Sequence, residues 1–123
     1  MAKDSKPVIV VGGGLGGLSA ALALGLRGRK VHVIEQVPEI APIGYGIQLG
    51  PNVFPVFDRL GVTDAVMQAS HLPPSLRMSD ALSGEELVNY SVTSPRYLER
   101  FKRPYVVIHR ADIHNILLDA CKK

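Results

Sequence analysis

The sequence predicts an α/β fold built on a β-α-β unit, and three observations within residues 8–35 predict it. Val8–Val11 is an apolar run of β-branched residues, which is typical of a buried strand. A helix is indicated next, because leucines recur at three- and four-residue steps along one face: Leu15, Leu18, Leu22 and Leu26. A second apolar run, Val31–Ile34, indicates a second strand. Strand, helix and strand in this order form the unit of a Rossmann-like fold.

The turn between the first strand and the helix is rich in glycine. Residues 12–17 fit the pattern G-x-G-x-x-G, with its glycines at Gly12, Gly14 and Gly17. Gly12 permits a tight turn, Gly14 allows a pyrophosphate to approach the backbone, and Gly17 allows close packing of the helix on the strand. The helix N-terminus offers free N–H groups and a partial positive charge to that pyrophosphate. We therefore predict a dinucleotide site here, the alternative being a structural glycine-rich turn.

An acidic residue, Glu35, ends the second predicted strand, about 20 residues after the motif. A carboxylate at this position accepts hydrogen bonds from the ribose hydroxyls of adenosine. The same charge repels a 2′-phosphate, which argues against NADP in this pocket. The motif by itself does not distinguish FAD from NAD.

Composition places the chain among ordinary soluble domains. Its 123 residues suffice for one domain, and 46% are hydrophobic while 20% are charged. The single cysteine, Cys121, indicates a reducing, cytoplasmic setting, and we interpret it as an inert thiol. The net charge of +3 comes without a nucleic-acid recognition motif, so we expect no nucleic-acid partner. Six glycines interrupt the uncharged stretch 7–26, which argues against a membrane span. No Cys/His spacing suggests a metal, and we assign no role to His109 or His114.

The middle of the chain is predicted to form a loop followed by short helices. Residues 36–43 form a predicted loop, and the glycine-rich segment 44–52 that follows implies unusual backbone angles or a close approach to a flat group. Gly50-Pro51 fits a helix start, and Thr63 is the predicted cap of a further short helix. The first of these helices should bury one face and end at Gly61, that face comprising Val53, Val56, Phe57 and Leu60.

The last third of the chain reads as a hairpin, a loop, a strand and a helix. Residues 76–78 and 86–90 flank Ser83-Gly84, which predicts an antiparallel hairpin. Residues 94–103 hold the densest basic cluster and are predicted to form an exposed loop. A strand at 105–108 then leads into a final helix, whose predicted buried face comprises Ile113, Ile116, Leu117 and Ala120.

Three segments in this order resemble the N-terminal part of the single-component FAD-dependent aromatic hydroxylases: residues 8–35, 44–52 and 108–112. The branch resembled most is that of salicylate hydroxylase and 3-hydroxybenzoate 6-hydroxylase. The runs 46–52, 83–86 and 109–114 favour the 3-hydroxybenzoate type. The resemblance covers nearly the whole chain and favours FAD over NAD in the glycine-rich site.

The resemblance implies roles for eight residues. The pyrophosphate of FAD would lie against Gly12, Gly14, Leu15 and Gly17, and the adenosine end would contact Glu35 and Gln36. Gln48 falls where the family brings a polar side chain near the flavin, the alternative being a loop-stabilising amide. Arg110 matches the family arginine that contacts the cofactor at the end of a strand, the alternative being a surface arginine near a helix start. Tyr45 departs from the family pattern, which has a small residue at this position.

The resemblance also implies the reaction and its partners. FAD would be reduced by NADH or NADPH, and dioxygen would serve to hydroxylate a small aromatic acid, a phenolic benzoate. Residues 1–123 would form a partial FAD-binding domain, incomplete at its C-terminus, without the later flavin-binding segments and the substrate domain. The two-stranded parallel sheet would have open edges, which favours self-association. The alternatives are another Rossmann FAD or NAD oxidoreductase, or an inactive fragment that binds weakly or not at all.

Overall fold

The computed structural model describes residues 6–38 and 45–123. The predicted loop at 36–43 therefore lies largely outside the described residues, as does Gly44. The strands are β1 (Val8–Val11), β2 (Val31–Ile34), β3 (Gly46–Leu49), β4 (Ser75–Ser79), β5 (Glu86–Ser91) and β6 (Val106–His109). The helices are α1 (Leu15–Gly25), α2 (Phe54–Leu60), α3 (Thr63–Ala69), α4 (Pro95–Phe101) and α5 (Arg110–Cys121), with a 3-10 turn at Pro51–Val53 before α2.

The predicted β-α-β unit is confirmed. Strands β1 and β2 pair in parallel, with Val8 opposite Val31 and Val11 opposite Ile34. Helix α1 covers one face of this pair and buries Leu18, Ala21 and Leu22. The helix ends one residue before Leu26, whose side chain is therefore exposed rather than on the buried face as predicted.

Four helices and β6 enclose the core. Helix α5 packs against α1 and α3, so the last helix closes over the first β-α-β unit. Cys121 of α5 donates from Sγ to the carbonyl of Leu18 at 3.4 Å, and burial raises the pKa of its thiol, which fits an inert side chain. The core cluster comprises Leu18, Leu22, Phe54, Phe57, Leu60, Val62, Val66, Val106, Ile108, Ile113 and Leu117.

The glycine-rich segment after β2 is a strand where we expected a loop. Strand β3 pairs antiparallel with β6, with Gly46 opposite His109 and Leu49 opposite Val106. Gly46 and Gly50 do not lie in the positive-φ region, so the expected unusual backbone angles are absent at both. The partner strand follows about 60 residues later, and local sequence patterns do not predict a pairing at that distance.

The buried face of the helix after Gly50 is predicted correctly at Phe57 and Leu60, but it also includes Phe54 and leaves out Val56. The chain starts with the 3-10 turn and only then becomes α-helical, which rotates the face that meets the core. Phe54 is fully buried, whereas Val56 is half exposed. Thr63 is also not a cap: it is the first residue of α3, and its hydroxyl donates to Asp58 at 2.6 Å. Gly61 ends α2 with φ +70, as predicted.

The predicted hairpin is present, but the predicted basic loop after it is not a loop. Strands β4 and β5 pair antiparallel around a turn that contains Gly84 at φ +74. Helix α4 occupies most of residues 94–103, because Ser94 caps it by accepting from the N–H of Tyr97 and Pro95 follows in the first turn. Tyr97 anchors this helix, being buried beside Tyr90 of the hairpin. The basic side chains stay at the surface, which is why composition alone suggested a loop.

One face of the β1–β2 pair remains uncovered in the described part of the chain. Ile9 and Val11 point away from α1 and are 51% and 83% exposed. Helices of the length and apolar character needed to cross a membrane are not found among residues 6–38 and 45–123.

Candidate functional site

The glycine-rich loop between β1 and α1 has the backbone that its sequence requires. Gly12 adopts φ +101, a conformation that side chains with a Cβ rarely take. A Cβ on Gly17 would lie 1.9 Å from the carbonyl oxygen of Gly12 and 3.5 Å from Val10. The absence of a side chain at Gly17 is therefore what lets α1 pack directly against the loop and β1.

Beside Gly14 the structure has free space. A Cβ built on Gly14 meets no atom within 4 Å, and Gly14 is the N-cap of α1. The first N–H to enter the helical hydrogen bonds is that of Leu18, which donates to Gly14, so the N–H groups of residues 15–17 precede it. The side chain of Leu15 packs on the core. Its backbone N–H is one of the groups at the helix N-terminus without a partner in the helix, and such groups favour an anion.

Glu35 binds the glycine-rich loop directly. Its Oε2 accepts the N–H of Gly13 at 2.6 Å, and its Oε1 accepts the N–H of Val37 at 3.0 Å. These hydrogen bonds hold the pKa of Glu35 below its ordinary value, and the bond from Val37 has the larger effect. Each carboxylate oxygen has two acceptor positions, so both keep one for a ribose hydroxyl. The neighbouring Gln36 is exposed.

Acid is expected to destabilise the chain through Glu35. Because the folded-state pKa is lowered, the folded chain binds this proton less readily than the unfolded chain. Stability from Glu35 is therefore complete above the ordinary pKa and is lost as the pH falls through the lowered pKa. Urea unfolding of the wild type and of Glu35→Gln across the acid range should show a shallower loss in the variant.

Asp80 supplies the matched control for this measurement. Hydrogen bonds from Ser83 and Leu82 in the hairpin turn lower the pKa of Asp80 in the same way, far from the glycine-rich loop. Asp80→Asn should also flatten the acid loss, and it should do so without changing the loop. Parallel curves for wild type and Glu35→Gln would mean that the carboxylate does not hold Gly13 in solution.

The β3–β6 pair places two further candidate residues near the start of α5. Arg110 is the first residue of α5, and its N–H donates to the carbonyl of Tyr45 at 3.2 Å. Gln48 lies in the middle of β3, where its Oε1 accepts the hydroxyl of Tyr105 at 2.6 Å. The side chain of Arg110 is exposed and has no acidic partner within the described ranges. The ring of Tyr45 is 88% exposed.

His114 is a part of the site to which sequence reasoning assigned no role. Its ring is buried, and Nε2 lies 2.6 Å from the carbonyl oxygen of Gly13. His114 and Arg110 are four residues apart on α5 and so share one helical face. That spacing, together with the three-residue step from His114 to Leu117, was the available signal, but it does not say which loop the face meets.

Comparison with known proteins shows the family to which this chain belongs. The family model described as an FAD binding domain matches residues 5–122. The chain belongs to this FAD binding domain family. The open space at Gly14 and the free N–H groups of the α1 N-terminus fit the pyrophosphate of such a cofactor.

The most similar relatives among curated FAD binding domain proteins include 3-hydroxybenzoate 6-hydroxylases. That of Polaromonas naphthalenivorans is 48% identical over 117 residues, which are 95% of this chain and 29% of that protein. That of Klebsiella oxytoca is 45% identical over 120 residues, which are 98% of this chain and 30% of that protein. The chain thus spans about 30% of the length of these relatives. The resemblance seen in the sequence is confirmed.

Solved structures agree with the FAD binding domain assignment. The tetrameric form of 2-methyl-3-hydroxypyridine-5-carboxylic acid oxygenase matches with a TM-score of 0.81 and 28% identity, over 98% of this chain and 30% of that one. Klebsiella pneumoniae HpxO complexed with FAD and uric acid matches with a TM-score of 0.77 and 32% identity, over 92% of this chain and 28% of that one. The predicted α/β class is therefore confirmed.

Proposed function

We propose that this chain binds FAD through the Gly12–Gly17 loop and belongs to a protein that hydroxylates a phenolic benzoate, 3-hydroxybenzoate in the first instance. The observation that carries the proposal is the free space beside Gly14, the N-cap of α1, in a chain 48% identical to a 3-hydroxybenzoate 6-hydroxylase. NADH or NADPH would be the reductant and dioxygen the oxidant. When bound, the flavin supplies the oxygen-transfer chemistry, and the protein supplies position and electrostatics.

The proposal assigns each residue a part in holding FAD. Backbone N–H groups at the start of α1 would bind the pyrophosphate beside Gly12, Gly14, Leu15 and Gly17. The second acceptor position on each oxygen of Glu35 would take the ribose, with Gln36 beside it. Arg110 would supply positive charge near the cofactor, and Gln48 a polar side chain at the flavin end. No catalytic acid or base is assigned among these residues.

We also propose a cytoplasmic location and self-association. The single cysteine supports the first, since reducing compartments do not favour disulfides. The uncovered apolar face at Ile9 and Val11 supports the second, because such a face is stabilised when another surface covers it.

Titration of the purified chain with FAD tests the proposal. Flavin fluorescence should change saturably, and an excess of NAD should not displace the bound flavin. Sedimentation of the same samples reports whether the flavin travels with one species or with an assembly. We expect no oxidation of NADH in the presence of 3-hydroxybenzoate by the chain alone, since it spans about 30% of its relatives. Binding of NAD in preference to FAD would contradict the proposal.

A further inference from the structure

Gly13 is held from two sides by residues distant in sequence. Its N–H donates to Glu35 at the end of β2, and its carbonyl oxygen contacts Nε2 of His114 in the second turn of α5. A carbonyl oxygen only accepts hydrogen bonds, so Nε2 must carry the proton and donate. The peptide groups on both sides of Gly13 therefore have fixed hydrogen-bond partners.

These partners matter because Gly12, Gly13 and Gly14 are consecutive. Without Cβ atoms, steric clashes restrict the rotation of their peptide groups very little, so hydrogen bonds must set the orientation. In a trans peptide the C=O and N–H point in opposite directions. Since His114 holds the carbonyl of Gly13, the N–H of Gly14 points away from α5. Within residues 6–38 and 45–123 that N–H has no acceptor, and the space beside Gly14 is open.

Among the residues that the structure describes, only one of the two ring nitrogens of His114 has a hydrogen-bond partner. Nδ1 of His114 is buried and has no hydrogen-bond partner in the described part of the chain, which is unfavourable for a polar atom. The neighbouring buried residues of α5, Ile113 and Leu117, have hydrocarbon side chains. A methionine in place of His114 would lose the bond to Gly13 and would also remove the unpaired Nδ1, so the two effects oppose each other.

We propose that His114 is a positioning residue for the cofactor. By holding the carbonyl of Gly13, it aims the N–H of Gly14 at the place where a pyrophosphate lies against the loop. This inference rests on the proposed binding of FAD by the same loop. It gives α5 an indirect role in the cofactor site, through a contact between residues 101 positions apart.

Two substitutions separate positioning from packing. His114→Met fills the buried volume without a donor, whereas His114→Gln places an amide N–H2 close to the position of Nε2. We expect FAD to bind His114→Met about tenfold more weakly, with a melting temperature within about 4 °C of wild type. His114→Gln should restore most of the affinity. A residue with a merely structural role would instead lose affinity and thermal stability together, and the glutamine would not restore the affinity.

A measurement without FAD keeps the two proposals distinguishable. In 1H–15N NMR spectra of the ligand-free chain, the Gly14 amide should give one sharp signal in the wild type and His114→Gln, and a broadened one in His114→Met. If the wild type fails to bind FAD but this pattern holds, the assignment of the cofactor fails and the orienting role of His114 stands. An unchanged Gly14 signal, or unchanged FAD affinity, in His114→Met overturns the role of His114.

Discussion

Replacing Gly17 by alanine is expected to destabilise the chain more than any other single methyl addition in the motif. The new Cβ would lie 1.9 Å from the carbonyl oxygen of Gly12, far inside the contact distance of real atoms. The oxygen belongs to the backbone of the tight turn, so no side-chain rotation relieves the overlap. Helix α1 must move away from β1, and we expect a loss of about 3 kcal/mol in the free energy of unfolding. Urea denaturation followed by circular dichroism measures it.

Gly16 is the matched control for this substitution, because it is the preceding residue of the same helix and a Cβ there meets no atom within 4 Å. Gly16→Ala should stabilise the chain by about 0.5 to 1 kcal/mol, since alanine loses less conformational entropy than glycine in a helix. Equal stability of Gly16→Ala and Gly17→Ala would show that α1 does not pack on the loop as described.

Gly14→Val should affect the ligand and not the fold: FAD binding should be weakened strongly, while the chain should remain folded. Gly14 has φ −74 and ψ −175, extended angles that valine adopts readily, and its Cβ would project into open space. The loss of a glycine at the N-cap costs about 1 kcal/mol or less. If the pyrophosphate occupies that space, the isopropyl group blocks it, and FAD affinity should fall by on the order of 100-fold. Fluorescence titration measures the affinity and thermal melting the fold.

Gly25→Val controls for the general effect of adding the same group to α1. Gly25 is the last residue of the helix, and a Cβ there also meets no atom within 4 Å. FAD affinity should be unchanged in this variant. Retention of wild-type affinity by Gly14→Val would mean that the loop is a structural turn, and the cofactor site would have to lie elsewhere.

Together these variants divide the motif into two functions. Gly17 serves the contact between helix and loop, whereas Gly14 leaves space for a ligand. The sequence predicted the packing role of Gly17, which the structure confirms. The role of Gly14 in leaving space for a pyrophosphate stays a prediction, based on the spacing of a strand, a turn and a helix. The clash distance at Gly17 and the free space beside Gly14 could be seen only in the tertiary structure.

Three predicted features differ from the structure, for different physical reasons. The strand at Gly46–Leu49 was expected to be a loop, because its pairing partner lies about 60 residues away and its glycines suggested irregular backbone. Residues 94–103 were expected to form an exposed loop because of their charges. The structure has helix α4 there, which begins after Ser94 and is held by the buried Tyr97. Val56 was placed in the core because a 3-10 turn changed the helical phase. The first two errors concern tertiary contacts that overrode a local pattern, and the third concerns a local 3-10 turn.

The local sequence determined the β-α-β unit, the hairpin and the position of Glu35 at the end of the second strand. Strand and helix periodicity, glycine conformation and turn chemistry act over a few residues, so they can be read in order along the chain. Only the tertiary structure decided that β3 lies beside β6 and that His114 reaches Gly13 across 101 positions. Such pairings depend on how whole elements pack, because a side chain's partner is set by the face it presents and not by its neighbours in sequence. The contact that orients the glycine-rich loop therefore appears only once α5 is folded over α1.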